Sequence, residues 1–308
     1  MDRLVVALGG NALLRAGEST AASQLLRVRE TARHVVDVLE SGHEVVLTHG
    51  NGPQVGNRIL QQEASDETPT MPLDVLVAET QAQIGYLLQQ ALDNELRASG
   101  AETADFVTMV TQVVVDPDDP DFETPTKPVG PFYTEAEAAE RSFETAAVGR
   151  GERPYRRVVP SPSPTDVVEV EEIESTVETG THVVCAGGGG VPVVDGDEGY
   201  EGVEAVVDKD RTSALLASKL DADALVVLTD VEYAYRGYDT DDPEPIESLT
   251  PAEAASLLEG RAFGTGSMKP KVEACRSFVA GGGERAVITS PDRLRAGLAG
   301  ETGTQFRP

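Results

Sequence analysis

A chain of 308 residues, 40% of them hydrophobic, is long enough for one large α/β domain or two smaller ones and too apolar to be disordered. Its 53 acidic residues against 25 basic ones give a formal net charge of -28, a field that repels nucleic acid and anionic membrane surfaces and argues against both as partners. No run approaches a membrane span, and the N-terminus enters a strand without the charged and apolar regions of a leader, so the expectation is a soluble, cytoplasmic protein.

The acid is spread along the chain rather than gathered in a tail, which reads as adaptation to a hypersaline cytoplasm. Cys185 and Cys275 read as reduced core thiols. The histidines His34, His43, His49 and His182 have no metal-ligand spacing, so no metal held by protein side chains is expected.

Val5–Leu8 predicts a strand that stops at Gly9-Gly10 and a polar Asn11. Leu25, Val28, Val35, Val36 and Leu39 share one face of a helix over Ala21–Glu40, closed by Ser41-Gly42. Glu44–Thr48 predicts the next strand, and Pro53 in "HGNGPQVGN" suits the first residue of a helix. A long helix, Leu73–Arg97, and a strand, Phe106–Val115, follow. Nine of the 19 prolines then fall between Pro117 and Pro164, which rules out a regular central part of the sheet and predicts a small protruding subdomain over about 116–165. Further strands are predicted at Thr181–Cys185, Val203–Val207, Ala224–Leu228 and Arg285–Thr289, with helices at about Arg211–Leu220, Pro251–Leu258 and Met268–Ala280. This alternation predicts an α/β protein with a mainly parallel sheet covered by helices on both faces.

Glycine turns follow several strands: "ALGGN", "THGNGP" and "CAGGGGVPVV". In a parallel sheet ligands bind beyond the carboxyl ends of the strands, and glycine lets backbone amides approach a phosphate closely. None of these turns fits a P-loop or a convincing dinucleotide fingerprint. Lysine occurs only at Lys127, Lys209, Lys219, Lys269 and Lys271 in a chain that otherwise uses arginine. Lys209 stands between Asp208 and Asp210 before a helix and reads as a phosphate-binding cation held by Asp210, whereas Lys219 reads as solvated surface. Lys269 and Lys271 fall at a helix start, where a cation opposes the helix dipole and a polyanionic ligand explains it better. Separated lysines, amide-rich turns and the absence of a nucleophile elbow or zinc ligand set point to phosphoryl transfer.

The stretches "VVALGGNALL", "HGNGPQVGN", "TQVVVDPDDPDFETPTKPVGPF", "VVPSPSP", "CAGGGGVPVV", "GVEAVVDKD", "DADALVVLTDVEYAY" and "GSMKPKVEA" resemble, in that order and over nearly the whole chain, carbamate kinases of the amino-acid kinase superfamily. The segment "PTKPVGPF" separates them from acetylglutamate, glutamate and uridylate kinases, which are the alternative reading beside a non-catalytic nucleotide sensor. The resemblance implies a three-layer αβα sandwich in a homodimer. Its N-terminal half (about 1–180) would hold the carbamoyl group and its C-terminal half (about 181–308) the nucleotide. It implies the reaction of carbamoyl phosphate and ADP to ATP and carbamate with magnesium, in arginine fermentation by the arginine deiminase pathway. Gly9, Gly10, Gly50, Asn51 and Gly52 would cradle the carbamoyl and phosphoryl groups, with Asn11 donating to the latter. Lys209 and Lys271 would neutralise phosphates, Asp210 would orient them, and Lys127 would reach the carbamoyl end from the subdomain. Asp230, Tyr235 or Tyr238, and Met268 would line the nucleotide pocket; Lys269 is left out.

Overall fold

The structure is a computed structural model and describes residues 2–10, 13, 20–39, 41–65, 67–100, 105–238, 240, 242–260, 262–263 and 268–308. The chain starts with β1 (Arg3–Leu8), α1 (Ala21–Leu39), β2 (Glu44–His49), α2 (Gly52–Glu63) and α3 (Leu73–Ser99), then β3 (Phe106–Thr108) and β4 (Gln112–Val115). The proline-rich segment supplies β5 (Lys127–Tyr133), α4 (Glu135–Ala139), β6 (Thr145–Ala147), β7 (Tyr155–Val159) and β8 (Pro164–Val167). Next come α5 (Val170–Glu178), β9 (His182–Val184), the hairpin of β10 (Val191–Gly196) and β11 (Gly199–Gly202), α6 (Lys209–Lys219) and β12 (Ala224–Leu228). The rest is β13 (Ala234–Arg236), β14 (Glu244–Ile246), β15 (Ser248–Leu249), α7 (Pro251–Glu259), α8 (Met268–Ala280), β16 (Arg285–Thr289), α9 (Leu294–Leu298) and β17 (Thr304–Phe306).

The eight-stranded main sheet runs β15-β17-β16-β12-β1-β2-β9-β3, parallel throughout except where β17 meets β16. Side chains alternate across a strand, so a strand buried on both faces feeds two cores. Val5 and Ala7 of β1 join Leu225 and Val227 of β12 beneath α5, α6, α7 and α8. Leu4, Val6 and Leu8 join Val226 and Leu228 beneath α1, α3 and α9. The result is the three-layer αβα sandwich with an open, mainly parallel sheet. Among the described residues, no helix is long and apolar enough to cross a membrane.

Local chemistry sets the helix ends. Thr20 accepts from the Ser23 amide at 3.1 Å at the start of α1, and Gly42, at φ +83°, closes its end with its amide on the Leu39 carbonyl at 2.8 Å. Helix α2 begins at Gly52, one residue ahead of the proline expected to open it.

Two expected strands differ. The run Phe106–Val115 divides: β3 stays at the edge of the main sheet, whereas β4 joins β10 and β8 in a second, four-stranded sheet. The Gln81 side chain makes the break, accepting from the Thr111 amide at 2.9 Å and donating to its carbonyl at 3.0 Å. Val203–Val207 forms no ladder. It is an extended, partly buried segment tied by single bonds, Val203 amide to Pro192 carbonyl at 3.1 Å and Val206 amide to Pro160 carbonyl at 3.0 Å. Within the proline-rich segment a separate antiparallel sheet, β5-β7-β6, rests on α2, where Gly130 faces Ile59.

Leu225 is fully buried in the middle of the sheet, so Leu225→Ala is expected to cost about 2–5 kcal/mol. Urea unfolding in molar KCl would show it as a lower midpoint at unchanged slope, and a loss well under 1 kcal/mol would contradict this packing.

Candidate active site

The carboxyl ends of β1, β2 and β12 meet at glycines. The Gly9 amide donates to the Leu228 carbonyl at 3.1 Å, so close that a Cβ on Gly9 would stand 2.7 Å from that oxygen. The Gly50 amide donates to the Leu8 carbonyl at 3.2 Å, and a Cβ there would lie 3.6 Å from Gly10 and 3.7 Å from the Lys209 side chain. Asn51 is 5% exposed and donates its amide to Thr80 Oγ1 at 3.0 Å, which leaves the start of α2 without a side-chain cap. Asn11 lies outside the described residues.

The loop Gly187–Gly190 closes this wall. Gly188 sits at φ +68°, and a Cβ on it would fall 2.2 Å from the Asn51 amide nitrogen; one on Gly189 would fall 2.3 Å from the Val207 carbonyl oxygen. Thr212 Oγ1 donates to the Gly189 carbonyl at 2.8 Å, joining the loop to α6. The "GGGG" run is visible in the sequence as a strand-end turn. That its glycines make room for Asn51 is not, since the pairing crosses more than 130 residues.

The lysines converge on one carboxylate. Asp208 caps α6, its Oδ1 accepting from the Asp210 amide at 2.9 Å. This presents Lys209 and Asp210 in the first turn. Lys209 Nζ donates to Asp210 Oδ1, and Lys271 Nζ, from the first turn of α8, donates to Asp210 Oδ2 at 2.9 Å. Asp210 is 3% exposed and Lys271 6%. Burial opposes the charge on Asp210, but the two ammonium groups outweigh it and hold its pKa below the ordinary value. Burial draws the Lys209 pKa down, Asp210 resists, and the neighbouring Lys271 charge adds to the fall.

Lys127 reaches in from β5, its Nζ 3.2 Å from Asp208 Oδ2. Lys219 pairs with Asp166 at 2.8 Å and Lys269 with Glu273 at 3.6 Å, away from the cluster. A cavity of about 490 Å³ opens between α2 and β5, lined by Asn51, Gly52, Lys127, Gly130, Arg156 and Val206. Arg156 was not anticipated. Its guanidinium lies over the Phe132 ring at 5.0 Å, its Nε donates to the Gly130 carbonyl at 3.0 Å, and burial lowers its pKa.

Of the residues expected at the nucleotide, Asp230, Tyr235, Tyr238 and Met268, only Tyr235 and Tyr238 are in ring contact. Asp230 follows β12 and is exposed, and Tyr235 packs between Tyr233 and Tyr238 at ring distances of 6.3 and 5.9 Å. Met268 opens α8, partly buried against the core.

The model of the amino acid kinase family matches residues 2–290. The chain belongs to the amino acid kinase family. Among members of this family, "Carbamate kinase" of Halobacterium salinarum is 52% identical over 310 residues, covering 100% of this chain and 99% of the relative. "Carbamate kinase" of Pyrococcus furiosus is 45% identical over 315 residues, covering 99% of each. The solved carbamate kinase of Giardia lamblia bound to AMP-PNP superposes with a TM-score of 0.92 at 39% identity, covering 99% of this chain and 98% of that one.

His49 is a second residue that its sequence position did not single out. Its Nδ1 lies 3.0 Å from the Gly50 carbonyl oxygen, which can only accept, so Nδ1 carries the proton and the neutral ring is the form held. Burial lowers its pKa to about 4, the Gly50 carbonyl opposing the fall and Lys209 adding to it. Between pH 6.5 and 4 the unfolded chain therefore binds a proton that the folded chain refuses, and stability drops as pH falls through that window. Wild type is expected to lose up to about 3 kcal/mol more than His49→Gln between those pH values, with the His49 ring neutral by NMR above about pH 5. An ordinary His49 titration near pH 6.5 would contradict the burial.

Proposed function

We propose that this amino acid kinase moves a phosphoryl group between carbamoyl phosphate and ADP, giving ATP and carbamate, which decomposes to ammonia and carbon dioxide. The observation that carries the reading is Asp210 holding Lys209 and Lys271 at the glycine-lined strand ends. Full-length relatives named carbamate kinase support the substrate, and the relative solved with AMP-PNP, an ATP analogue, supports the nucleotide.

In the forward step an oxygen of the ADP β-phosphate forms a bond to phosphorus as the bond from phosphorus to the carbamoyl oxygen breaks, and the electron pair leaves with carbamate. The transferring group carries its charge on its equatorial oxygens, so the protein's task is positioning and charge neutralisation. Lys209 and Lys271 supply two ammonium groups whose side chains are only 11% and 7% exposed, and Asp210 keeps both aimed. Backbone amides at Gly10 and Gly52, with the Asn51 side chain, would receive the carbamoyl and phosphoryl oxygens, while Gly9 and Gly50, whose amides are held by the Leu228 and Leu8 carbonyls, would let those oxygens approach the strand ends, and Asn11 is assigned to the same wall. Lys127 would meet the carbamoyl phosphate from the proline-rich subdomain (about 116–165).

Asp230, Tyr235, Tyr238 and Met268 would line the nucleotide site, in a division where residues 1–180 serve the carbamoyl end and 181–308 the nucleotide. Both oxygens of Asp210 are taken by ammonium groups, so the cluster offers magnesium no carboxylate. The ion would arrive on the nucleotide's own phosphates. A cytoplasmic place in arginine fermentation completes the reading.

The reading also includes a homodimer. Its support is the edge strand β3, whose Thr108 lines one surface hollow with the exposed hydrophobics Tyr86 and Val110, a face that a second copy would cover. Light scattering in molar KCl is expected to give twice the mass of the chain, and Tyr86→Asp to shift it toward monomer; a monomeric wild type would refute this part.

Lys209→Met and Lys271→Met are each expected to lower kcat for ATP formation from ADP and carbamoyl phosphate by about 10²-fold or more in molar KCl. Near-normal turnover in either variant would overturn the assignment.

A further inference from the structure

Asp208 has two partners on two different elements. Its Oδ1 accepts from the Asp210 amide at 2.9 Å and so caps α6, while its Oδ2 meets Lys127 Nζ at 3.2 Å, across 81 positions of sequence. The first bond fixes the turn that carries Lys209 and Asp210. The second ties that turn to the first residue of β5. Val206, two residues before Asp208, donates to the Pro160 carbonyl, so the chain leading into Asp208 is also fastened to the exit of the β5-β7-β6 sheet. Asp208 therefore stands where the protruding sheet meets the phosphoryl site, and its side chain is only 14% exposed.

We propose that Asp208 is a positioning residue that acts through Lys127: it holds the ammonium group at the mouth of the phosphoryl site and yields it only to a competing anion. The idea rests on the assignment of Lys127 to carbamoyl phosphate made above. A phosphoryl dianion attracts an ammonium group more strongly than one carboxylate does, so binding exchanges the Asp208–Lys127 pair for a Lys127–phosphate pair. Asp208 keeps its bond to the α6 amide during the exchange, and the Lys209–Asp210–Lys271 cluster stays in register. The pair is thus a threshold that carbamoyl phosphate must exceed and that ADP, bound on the other half, does not meet.

Asp208→Asn tests this directly, because asparagine retains the side-chain oxygen that caps α6 and loses the charge that holds Lys127. The expected result is a KM for carbamoyl phosphate lowered by about two- to fivefold, the range for a partly exposed ion pair, with the KM for ADP unchanged. Removing any negative charge near an anion site also lowers KM, so the decisive comparison is Asp208→Asn in a Lys127→Met background. If Asp208 acts through Lys127, the substitution changes nothing there. The same fall in both backgrounds, or no fall in either, overturns the proposal while leaving Lys127 as a substrate contact, provided Lys127→Met alone raises the KM for carbamoyl phosphate. If Lys127→Met leaves that KM unchanged, the assignment of Lys127 fails and the proposal with it.

Discussion

Two ammonium groups share one buried carboxylate, and the geometry around the strand ends is arranged about that fact. Burial and the neighbouring Lys271 charge both draw the Lys209 pKa down, and Asp210, bonded to both ammonium groups, opposes that fall. Two ammonium groups on one carboxylate give the trio a formal charge of one positive, which suits it to receive a transferring phosphoryl group. The requirement reaches outward. Asp210 must leave the first turn of α6 at one angle, so Asp208 caps that turn; Lys271 must come from α8, so α6 and α8 pack side by side over the sheet. On β2, Thr48 Oγ1 lies 2.6 Å from Ser213 Oγ, which donates to the Lys209 carbonyl at 2.6 Å, so the strand end and the helix start are one bonded unit.

High salt would let the acidic surface and this basic site coexist. A net charge of -28 would repel carbamoyl phosphate and nucleotide alike at low ionic strength. At molar salt the screening length shrinks to about 3 Å, and the long-range field vanishes. What survives is contact: a lysine ammonium touching a phosphate oxygen, or the Lys127–Asp208 pair. This explains how a chain that has nearly abandoned lysine can use three of its five at one site, since only short-range cations retain their effect there.

The sandwich was legible because β1, β2, β12 and β16 are continuous apolar runs, as strands buried on both faces must be, each set off by polar or glycine residues. The limits are equally physical. Phe106–Val115 carries no glycine or proline to mark a break, and nothing in it signals that Gln81, on a helix, will split it between two sheets. Val203–Val207 has the composition of a strand but finds no neighbouring ladder to join. Lys209, Asp210 and Lys271 stood out by rarity and by their place at helix starts. Arg156 and His49 did not, because their significance lies in what surrounds them: a cavity wall for one, full burial beside Lys209 for the other. Asp208 was visible as a neighbour of Lys209, but its bond to Lys127 depends on how the proline-rich sheet folds back.

The most direct test of the central claim is kcat for ATP formation by Asp210→Asn in molar KCl, with the folded state verified by circular dichroism. Asparagine fills the same volume but can accept from only one of the two ammonium groups, because its amide nitrogen only donates. The account predicts a fall in kcat of about 10²-fold or more in a folded protein. A folded Asp210→Asn enzyme with wild-type kcat would contradict it.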